Sequence, residues 1–250
     1  MNKENYTLVI QGKLHINTAR MCNYHKDVNT VVSTWKSSID PEEFLKDSLR
    51  PNLTIVVNDL PDVTNINNTA NRYYQFMSSL YGMEAVKTKF AIKARSDEYY
   101  SNLDPLIEAS AASPEKIVTN DVFFRKTKIY PYHPSDHLMA GKTEYMTTMF
   151  SDCANKCKDK VFSEVPEQQM GMMFIARREN GNDSHLDLPR GPNNYQKITQ
   201  LMVKHFDVVS TSELGEFVIM YNGSNRNWRN SGYIDRQTDA FTTGSLATEL

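Results

Sequence analysis

The first hundred residues alternate short runs of apolar residues with longer polar stretches, and this alternation constrains the fold more than any other feature. The apolar runs cover residues 6–10, 29–35, 53–57 and 89–94. None of them alternates strictly between apolar and polar residues, and the first three are rich in β-branched residues, as expected for strands buried on both faces. Strands separated by helix-length segments predict an α/β fold with a mostly parallel central sheet and helices on both faces.

Helix signals fill the spaces between these strands. Asp40 is a good N-cap, and Pro41 follows it at the first helical position. Gly82 marks the C-terminus of a longer helix. The sequence predicts helices near residues 17–25, 41–50, 65–81, 103–112, 143–154, 167–178 and 194–204. A short strand is expected at 116–118, and a hairpin or loop at 122–132.

Length and composition indicate one globular domain. The chain has 250 residues, enough for one sizeable core, and 40% of them are hydrophobic. We expect a single domain over residues 1–221. Residues 222–250 are rich in Gly, Ser, Thr and Asn, which predicts a loosely ordered C-terminal tail. The net charge of −2 does not favour nucleic acid as a partner.

Cysteine usage and the N-terminus indicate a cellular compartment. The three cysteines are an odd number and favour a reducing environment over a disulfide framework. The N-terminus lacks the apolar core of a signal peptide, and no stretch approaches the roughly 18 apolar residues of a membrane span. These features predict a cytoplasmic protein without a transmembrane segment and leave room for peripheral contact with a membrane. The sequence does not define an oligomeric state.

Polar residues follow each of the four predicted strands. They are Gln11 and Gly12, Ser33 and Thr34, Asn58 and Asp59, and Arg95, Ser96 and Asp97. The carboxyl ends of parallel strands open on the same edge of a sheet, where α/β proteins bind their ligands. We therefore expect these residues to line one crevice.

The string from Lys93 to Glu98 places two cations and two carboxylates at the mouth of one strand. A diphosphate ligand needs this mixture, because carboxylates hold a divalent cation on the phosphate oxygens and basic groups offset the remaining charge. An exposed, ion-paired loop is the alternative interpretation. The sequence has no glycine-rich phosphate loop, which argues against Rossmann dehydrogenases and P-loop nucleoside triphosphatases.

Two acidic residues later in the chain are candidates for a general base. Asp136 lies between His133 and His137, and Glu167 stands where a helix is predicted to begin. Either carboxylate could accept a proton from an attacking hydroxyl group. Helix capping by Asp136 and stabilisation of the helix dipole by Glu167 are the structural alternatives.

These motifs, in this order, resemble the WavE family of lipopolysaccharide-core synthesis proteins and related glycosyltransferases of bacteria and large viruses. The matching pieces span about residues 6–175 and are Val9-Ile10-Gln11-Gly12, Val32-Ser33-Thr34-Trp35, Asn71-Arg72, Lys93-x-Arg95-Ser96-Asp97, Ser135-Asp136-His137 with Gly141, and Pro166-Glu167-Gln168. The resemblance implies a GT-A-type fold. It also implies an enzyme that transfers a sugar from a nucleotide-sugar donor to a glycan or glycolipid acceptor, with inversion of the anomeric centre favoured.

The resemblance also implies roles for individual residues. Asp97, with Glu98 as a helper, would hold Mn²⁺ or Mg²⁺ on the donor diphosphate. Glu167 resembles the residue that such folds use as the acceptor base, and Asp136 is its rival. The nucleotide side would be lined by Gln11, Gly12, Thr34, Asn71, Arg72, Lys93 and Arg95.

Two departures from the family pattern keep other functions open. Lys13 stands where the family has proline, and Arg-Ser-Asp-Glu is not a full Asp-x-Asp metal motif. The first alternative is a non-catalytic module that binds a sugar or a nucleotide. The second is a nucleotidyltransferase that makes the sugar nucleotide.

Overall fold

The computed structural model describes residues 3–219, except 38, 65, 67–69, 129 and 159–164. The tail predicted at 222–250 lies outside the described residues. Within them, the structure has a mixed α/β architecture with one large central sheet. The strands, in chain order, are β1 Tyr6–Gln11, β2 Asn29–Trp35, β3 Leu53–Asn58, β4 Phe90–Arg95, β5 Tyr99–Tyr100, β6 Ile117–Asn120, β7 Leu138–Lys142, β8 Phe206–Val209 and β9 Phe217–Val218.

The central sheet has seven strands in the order β3-β2-β1-β4-β7-β6-β8. Strands β1 to β4 pair in parallel, and β6 pairs in parallel with β8. Strand β7 runs antiparallel to both of its neighbours, so the sheet is mixed rather than fully parallel. The prediction of a mostly parallel sheet is confirmed. Strands β5 and β9 form a separate antiparallel pair.

Helices cover both faces of the sheet, as predicted. They are α1 Ile16–Tyr24, α2 Pro41–Phe44, α3 Ala70–Glu84, α4 Asp104–Ala112, α5 Thr143–Lys158, α6 Pro166–Asn180 and α7 Tyr195–His205. Helices α3, α5, α6 and α7 pack on one face, where Val9 meets residues such as Phe76 and Met173. Helices α1 and α4 pack on the other face, where Leu8 and Ile10 lie. The alternation of side chains along β1 therefore feeds two separate cores.

The sequence did not predict strands β7 and β8. The β7 segment Leu-Met-Ala-Gly-Lys has no β-branched residue, so its intrinsic preference for a strand is weak. It becomes a strand because it is buried between β4 and β6, and both neighbours supply hydrogen-bond partners. Strand β8 has four residues and follows α7 directly. The described residues of 122–132 form turns and one bridge rather than the two strands of a hairpin.

Candidate active site

A cavity of about 430 Å³ lies at the carboxyl ends of β1 and β4, on the side of the sheet that α3 covers. This is the edge where polar residues were expected to meet. Its walls are formed by Gln11, Gly12, Lys13, Leu14, His15, Trp35, Asn71, Tyr74, Gln75, Ser78, Arg95, Ser96 and Asp97. We call this cavity the strand-end pocket.

Gly12 allows the ends of β1 and β4 to approach closely at the floor of this pocket. Its φ is +126°, and a Cβ atom would lie 2.6 Å from the Ser96 Oγ. The Gly12 amide donates to the Ser33 carbonyl at 3.0 Å, and the Ser96 amide donates to the Gln11 carbonyl at 2.9 Å. A residue with a side chain would be strained by its backbone and would collide with Ser96. The requirement for glycine is therefore local and steric.

Helix α3 forms a polar and aromatic wall of the pocket. Asn71, Tyr74, Gln75 and Ser78 line it, and their spacing of three, four and seven residues places them on one helix face. The Ser78 hydroxyl donates to the Gln11 Oε1 at 2.5 Å. Of these four residues, only Asn71 was predicted from the sequence to line the nucleotide side. The helical spacing of polar residues was a usable signal for the other three.

Trp35 and Tyr74 bring two aromatic rings to the same pocket. Their ring centroids lie 5.9 Å apart in an edge-to-face arrangement. Trp35 is almost fully buried, at 6% exposure, and its ring also meets Tyr81 at 6.4 Å. The fold thus holds the Trp35 ring rigidly against the cavity.

Arg95 and Asp97 form the charged side of the pocket. The Arg95 Nε lies 3.3 Å from the Asp97 Oδ1, and both side chains are about one-third exposed. The Asn17 side-chain amide donates to the Asp97 carbonyl at 2.9 Å, and the Thr18 hydroxyl donates to the Ser96 carbonyl at 3.0 Å. The first turn of α1 therefore fixes the backbone that carries Asp97.

Next to the pocket lies a group of charged residues, all buried except the one-third exposed Arg95, which we call the buried charge cluster: Lys93, Arg95, Glu98, Asp136 and His137. The Lys93 Nζ donates to the Asp136 carbonyl and lies 3.9 Å from the Asp136 Oδ2. The Arg95 Nη1 lies 3.6 Å from the same oxygen. Gln75, from the pocket wall, donates its side-chain amide to that oxygen as well. Asp136 therefore links the pocket to the core.

The charges of the cluster determine one another's protonation. Burial alone would raise the pKa of Asp136, but the charges of Lys93, His137 and Arg95 hold that pKa well below its usual range. Burial lowers the pKa of Lys93, against the attraction of Asp136. Burial also opposes protonation of Arg95, but Asp136, Glu98 and Asp97 outweigh it and raise the pKa of Arg95. Asp136 is thus held as a buried, charged anchor.

Glu98 does not line the strand-end pocket, although it was expected to help hold a metal. It is fully buried, and its Oε1 meets the Nδ1 of His137. Its Oε2 accepts a hydrogen bond from the Tyr100 hydroxyl at 2.8 Å. Both carboxylate oxygens are therefore engaged inside the protein. Glu98 therefore does not present a carboxylate to a metal ion in the pocket.

Thr34 and Arg72 also lie outside the strand-end pocket. Thr34 neighbours Trp35 along β2, and successive side chains of a strand point to opposite faces, so only one of the two faces α3. Arg72 turns from its neighbour Asn71 toward α6, where its Nη1 donates to the Gln169 Oε1 at 3.3 Å. Lys93 lies below the pocket rather than in its wall.

Glu167 lies in the first turn of α6 and is not among the residues that line the strand-end pocket. Its side chain is 21% exposed, and its Oε2 lies 3.9 Å from the His133 Nε2. Burial, together with the negative charge of Asp136, raises the pKa of Glu167 to about 7. A carboxylate with this pKa is suited to exchange protons near neutral pH.

Gly171 allows α6 to approach the loop that carries His133 and Asp136. A Cβ atom at Gly171 would lie 2.1 Å from the Tyr132 carbonyl oxygen and 2.9 Å from the Pro134 Cδ. Gly171 stands one turn after Glu167, so this close contact sets the distance between Glu167 and His133. The sequence analysis did not select Gly171. A glycine in the interior of a predicted helix was the available signal.

The residues at the pocket fit only one kind of metal site. Within the described ranges, no group of three His, Cys, Asp or Glu side chains is placed to hold a metal ion. Asp97 does present a carboxylate to the pocket. Mg²⁺ commonly binds through one or two carboxylates plus phosphates of the substrate. Asp97 fits a cation that is held mainly by ligand phosphates.

No helix in the described part of the chain is long and apolar enough to cross a membrane.

The comparison with protein families identifies the family of this chain. The family model described as WavE lipopolysaccharide synthesis matches residues 19–215. The protein belongs to the WavE lipopolysaccharide synthesis family, which confirms the resemblance found in the sequence. No curated protein matches the chain.

Several solved structures share part of the architecture at low identity. An active-site mutant of LgtC matches with a TM-score of 0.43 and 12% identity, covering 67% of this chain and 69% of that chain. Mouse xyloside xylosyltransferase 1 matches with a TM-score of 0.40 and 13% identity, covering 71% and 83%. S. aureus TarS in complex with UDP-GlcNAc matches with a TM-score of 0.40 and 11% identity, covering 79% and 65%. These values are too low to transfer residue roles to this chain.

Proposed function

We propose that this protein is a glycosyltransferase that moves a sugar from a nucleotide-sugar donor to a glycan or glycolipid acceptor. One observation carries the proposal. Asp136 contacts Gln75 and Arg95 of the strand-end pocket, and burial together with the negative charge of Asp136 raises the pKa of Glu167 to about 7. A polar and aromatic pocket with a neighbouring base is the arrangement that group transfer to a hydroxyl requires. Membership in the WavE family supports the same assignment.

The pocket divides into two parts that match the two ends of a nucleotide diphosphate. Trp35 and Tyr74 offer aromatic surfaces for a nucleobase. Arg95 offers a charged guanidinium for phosphate oxygens, which it can bind in a bidentate manner. Gly12 lies in the wall of the same pocket, where the absence of a side chain leaves room for the Ser96 hydroxyl.

Asp97 is the residue that we propose for a divalent cation, Mn²⁺ or Mg²⁺. When bound, such a cation would neutralise charge on the donor phosphates and stabilise the leaving group. Arg95 lies beside Asp97 and provides positive charge to the same region from the protein itself. Glu98 takes no part, because its carboxylate is buried against His137 and Tyr100.

The proposed step is a displacement at the anomeric carbon of the donor. The acceptor hydroxyl oxygen attacks this carbon and forms the new glycosidic bond. The bond from the anomeric carbon to the phosphate oxygen breaks, and its electron pair leaves with the nucleotide. Glu167 accepts the hydroxyl proton, and a single displacement of this kind inverts the anomeric centre. We propose Asp136 as a positioning residue, because it is buried and holds Gln75 and Arg95.

Turnover of nucleotide sugars tests this function. UDP-, GDP-, CMP- and dTDP-linked sugars are incubated with the protein, a mixed glycan acceptor and Mn²⁺ or a chelator, and the released nucleotide is measured. The account predicts release from one donor class, and loss of release in Glu167→Gln with donor binding retained. Binding without any release would favour the non-catalytic module. Pyrophosphate formation from a nucleoside triphosphate and a sugar phosphate would favour the nucleotidyltransferase.

A further inference from the structure

A basic loop passes over the helix that carries Glu167. Between Asp121 and Asp136 the sequence has no acidic residue, and it contains Arg125, Lys126 and Lys128. The loop is bound to α6, because the Gln168 side-chain amide donates to the Pro131 carbonyl at 2.9 Å. The Tyr132 carbonyl also lies against Gly171. The loop therefore lies against the first turns of α6, the helix that carries Glu167.

An exposed aromatic ring of this loop packs against His133, which neighbours Glu167. Tyr130 is 43% exposed, and its ring centroid lies 5.6 Å from that of His133. The His133 Nε2 in turn lies 3.9 Å from the Glu167 Oε2. Through His133, the exposed Tyr130 ring is close to the proposed base, where an acceptor sugar can pack on it.

A guanidinium group borders the same ring. The Arg125 Cζ lies 5.6 Å from the Tyr130 ring centroid and 5.1 Å from the Phe123 ring centroid. The positive charge of Arg125 acts at His133, where it adds to the effect of burial and lowers the pKa of the imidazole to about 4. His133 is therefore neutral at pH 7, and the cation next to the tyrosine is arginine.

We infer that Tyr130 and Arg125 form the acceptor platform of this protein and that its preferred acceptor is an acidic saccharide. The inference rests on the proposed function. A sugar ring laid on Tyr130 would place a hydroxyl toward Glu167. A carboxylate or phosphate on the same saccharide would meet Arg125, whose planar group binds such anions through paired hydrogen bonds. The chain as a whole has a net charge of −2, so this attraction is local to the loop.

Equilibrium binding of matched saccharides tests the platform without requiring turnover. Trigalacturonate and trehalose 6-phosphate are the acidic probes, and maltotriose and trehalose are their neutral counterparts. Isothermal titration at low salt should show both acidic probes binding about tenfold more tightly than the neutral ones, as a charge-assisted hydrogen bond implies. Raising the salt to about 0.5 M should weaken the acidic probes selectively. A preference for only one acidic probe would identify carboxylate or phosphate as the recognised group.

Two variants and two matched controls locate the site. Arg125→Gln should remove the preference for acidic probes, and Tyr130→Ala should weaken acidic and neutral probes about fivefold each. Tyr24→Ala removes another exposed tyrosine, at 58% exposure, and Lys46→Gln removes another exposed cation, at 61% exposure. Both controls should bind like the wild type.

The results separate failure of the platform from failure of the transferase assignment. Equal binding of acidic and neutral probes, or equal effects of the variants and their controls, would overturn the platform. Nucleotide binding at the strand-end pocket, followed through Trp35, reports on the donor site independently. If acidic saccharides bind at Tyr130 and no nucleotide binds, the platform stands as a saccharide site and the transferase assignment fails.

Discussion

Two glutamates of this protein have opposite electrostatic environments. Glu115 is largely exposed and is bound by Lys142, by the Tyr145 hydroxyl at 2.5 Å and by Arg178 at 3.0 Å. The hydrogen bonds from Lys142 and Tyr145 lower the pKa of Glu115 to about 2. Glu167 is mostly buried, and its pKa is raised to about 7. One side chain is fixed as an anion, and the other is poised to exchange a proton.

The sheet places these two environments at opposite ends. Lys142 ends β7, which is antiparallel to β4, and it pairs with Phe90 at the start of β4. Asp136 precedes β7 and lies next to Arg95, where β4 ends. Exposed ion pairs contribute little to stability, whereas a buried charge is costly to retain and very costly to leave without its partner. Among the described residues, the most deeply buried charges, Lys93, Glu98 and Asp136, lie next to the strand-end pocket. Asp121 and Asp152 are also buried, and hydrogen bonds from Thr211 and Arg177 satisfy them.

Replacing the poised glutamate should have the largest effect on activity. Glu167→Gln keeps the shape of the side chain and removes its ability to accept a proton. We expect kcat to fall about 10²- to 10⁴-fold, as for loss of a general base. Glu115→Gln is the matched control and should leave kcat unchanged. Initial rates at saturating donor decide between them, and equal rates for the two variants would remove Glu167 from the mechanism.

Breaking the buried charge cluster should have the largest effect on stability. Asp136→Asn leaves Lys93 buried without its carboxylate partner. We expect a loss of about 3–5 kcal/mol in the free energy of unfolding, the usual result of removing one member of a buried pair. Denaturant unfolding measures this loss, and Glu115→Gln should stay close to the wild type. A wild-type midpoint for Asp136→Asn would show that the cluster is not needed for folding.

Separating α6 from the loop should disturb the site without removing any charge. In Gly171→Ala the new methyl group meets the Tyr132 carbonyl. We expect destabilisation of about 1–3 kcal/mol, as for overpacking, with a lower kcat because Glu167 moves relative to His133. Gln200→Ala, at an exposed position of α7, controls for adding alanine to a helix. Unchanged unfolding and unchanged kcat in Gly171→Ala would contradict the proposed close packing.

The pH dependence of the rate should follow the pKa of Glu167. The base must be ionised to act, so kcat/KM should rise about tenfold per pH unit below pH 7 and level off above it. Removing the nearby negative charge in Asp136→Asn should shift this rise to lower pH, because Asp136 raises the pKa of Glu167. A rate that is flat between pH 5 and 8 would exclude Glu167 as the base.

The free energy of unfolding should also depend on protonation of Glu167. It should fall as pH rises, whereas kcat/KM rises, and the effect should be smaller. The folded-state pKa of Glu167, about 7, lies above its ordinary value of 4.5, so the folded protein holds the proton more tightly than the unfolded chain. This contribution is complete below pH 4.5 and is lost as pH rises through 7. The wild type should therefore lose stability relative to Glu167→Gln between pH 5 and pH 8. If wild type and Glu167→Gln differ in the free energy of unfolding by the same amount at pH 5 and at pH 8, the raised pKa is contradicted.

The sequence predicted the first half of the fold because its strands are continuous apolar runs with clear helix signals between them. It missed β7 because Leu-Met-Ala-Gly-Lys gains its strand conformation from neighbours on both sides rather than from its own residues. Tertiary pairing of this kind is not encoded in a local pattern. The antiparallel strand in the middle of the sheet was therefore not predictable from periodicity.

The sequence located the pocket better than it assigned the side chains in it. Gln11, Gly12, Asn71, Arg95 and Asp97, which the motifs selected, line the strand-end pocket, and their roles there stay predictions. The other predicted ligands lie nearby but point elsewhere, because the direction of a side chain depends on strand register and helix rotation: Thr34, Arg72, Lys93 and Glu98. A motif gives the neighbourhood of a residue and not its orientation.

Titration of nucleotides against the fluorescence of Trp35 tests directly whether the strand-end pocket binds the donor. The sequence has two tryptophans, so Trp228→Phe leaves Trp35 as a single reporter in the wall of the strand-end pocket. We expect a saturable change in emission with one nucleoside diphosphate, about tenfold weaker binding in Arg95→Gln, and unchanged binding in Glu167→Gln. An emission that no nucleoside diphosphate alters, from folded protein with or without Mn²⁺, would contradict the assignment of this pocket as a donor site.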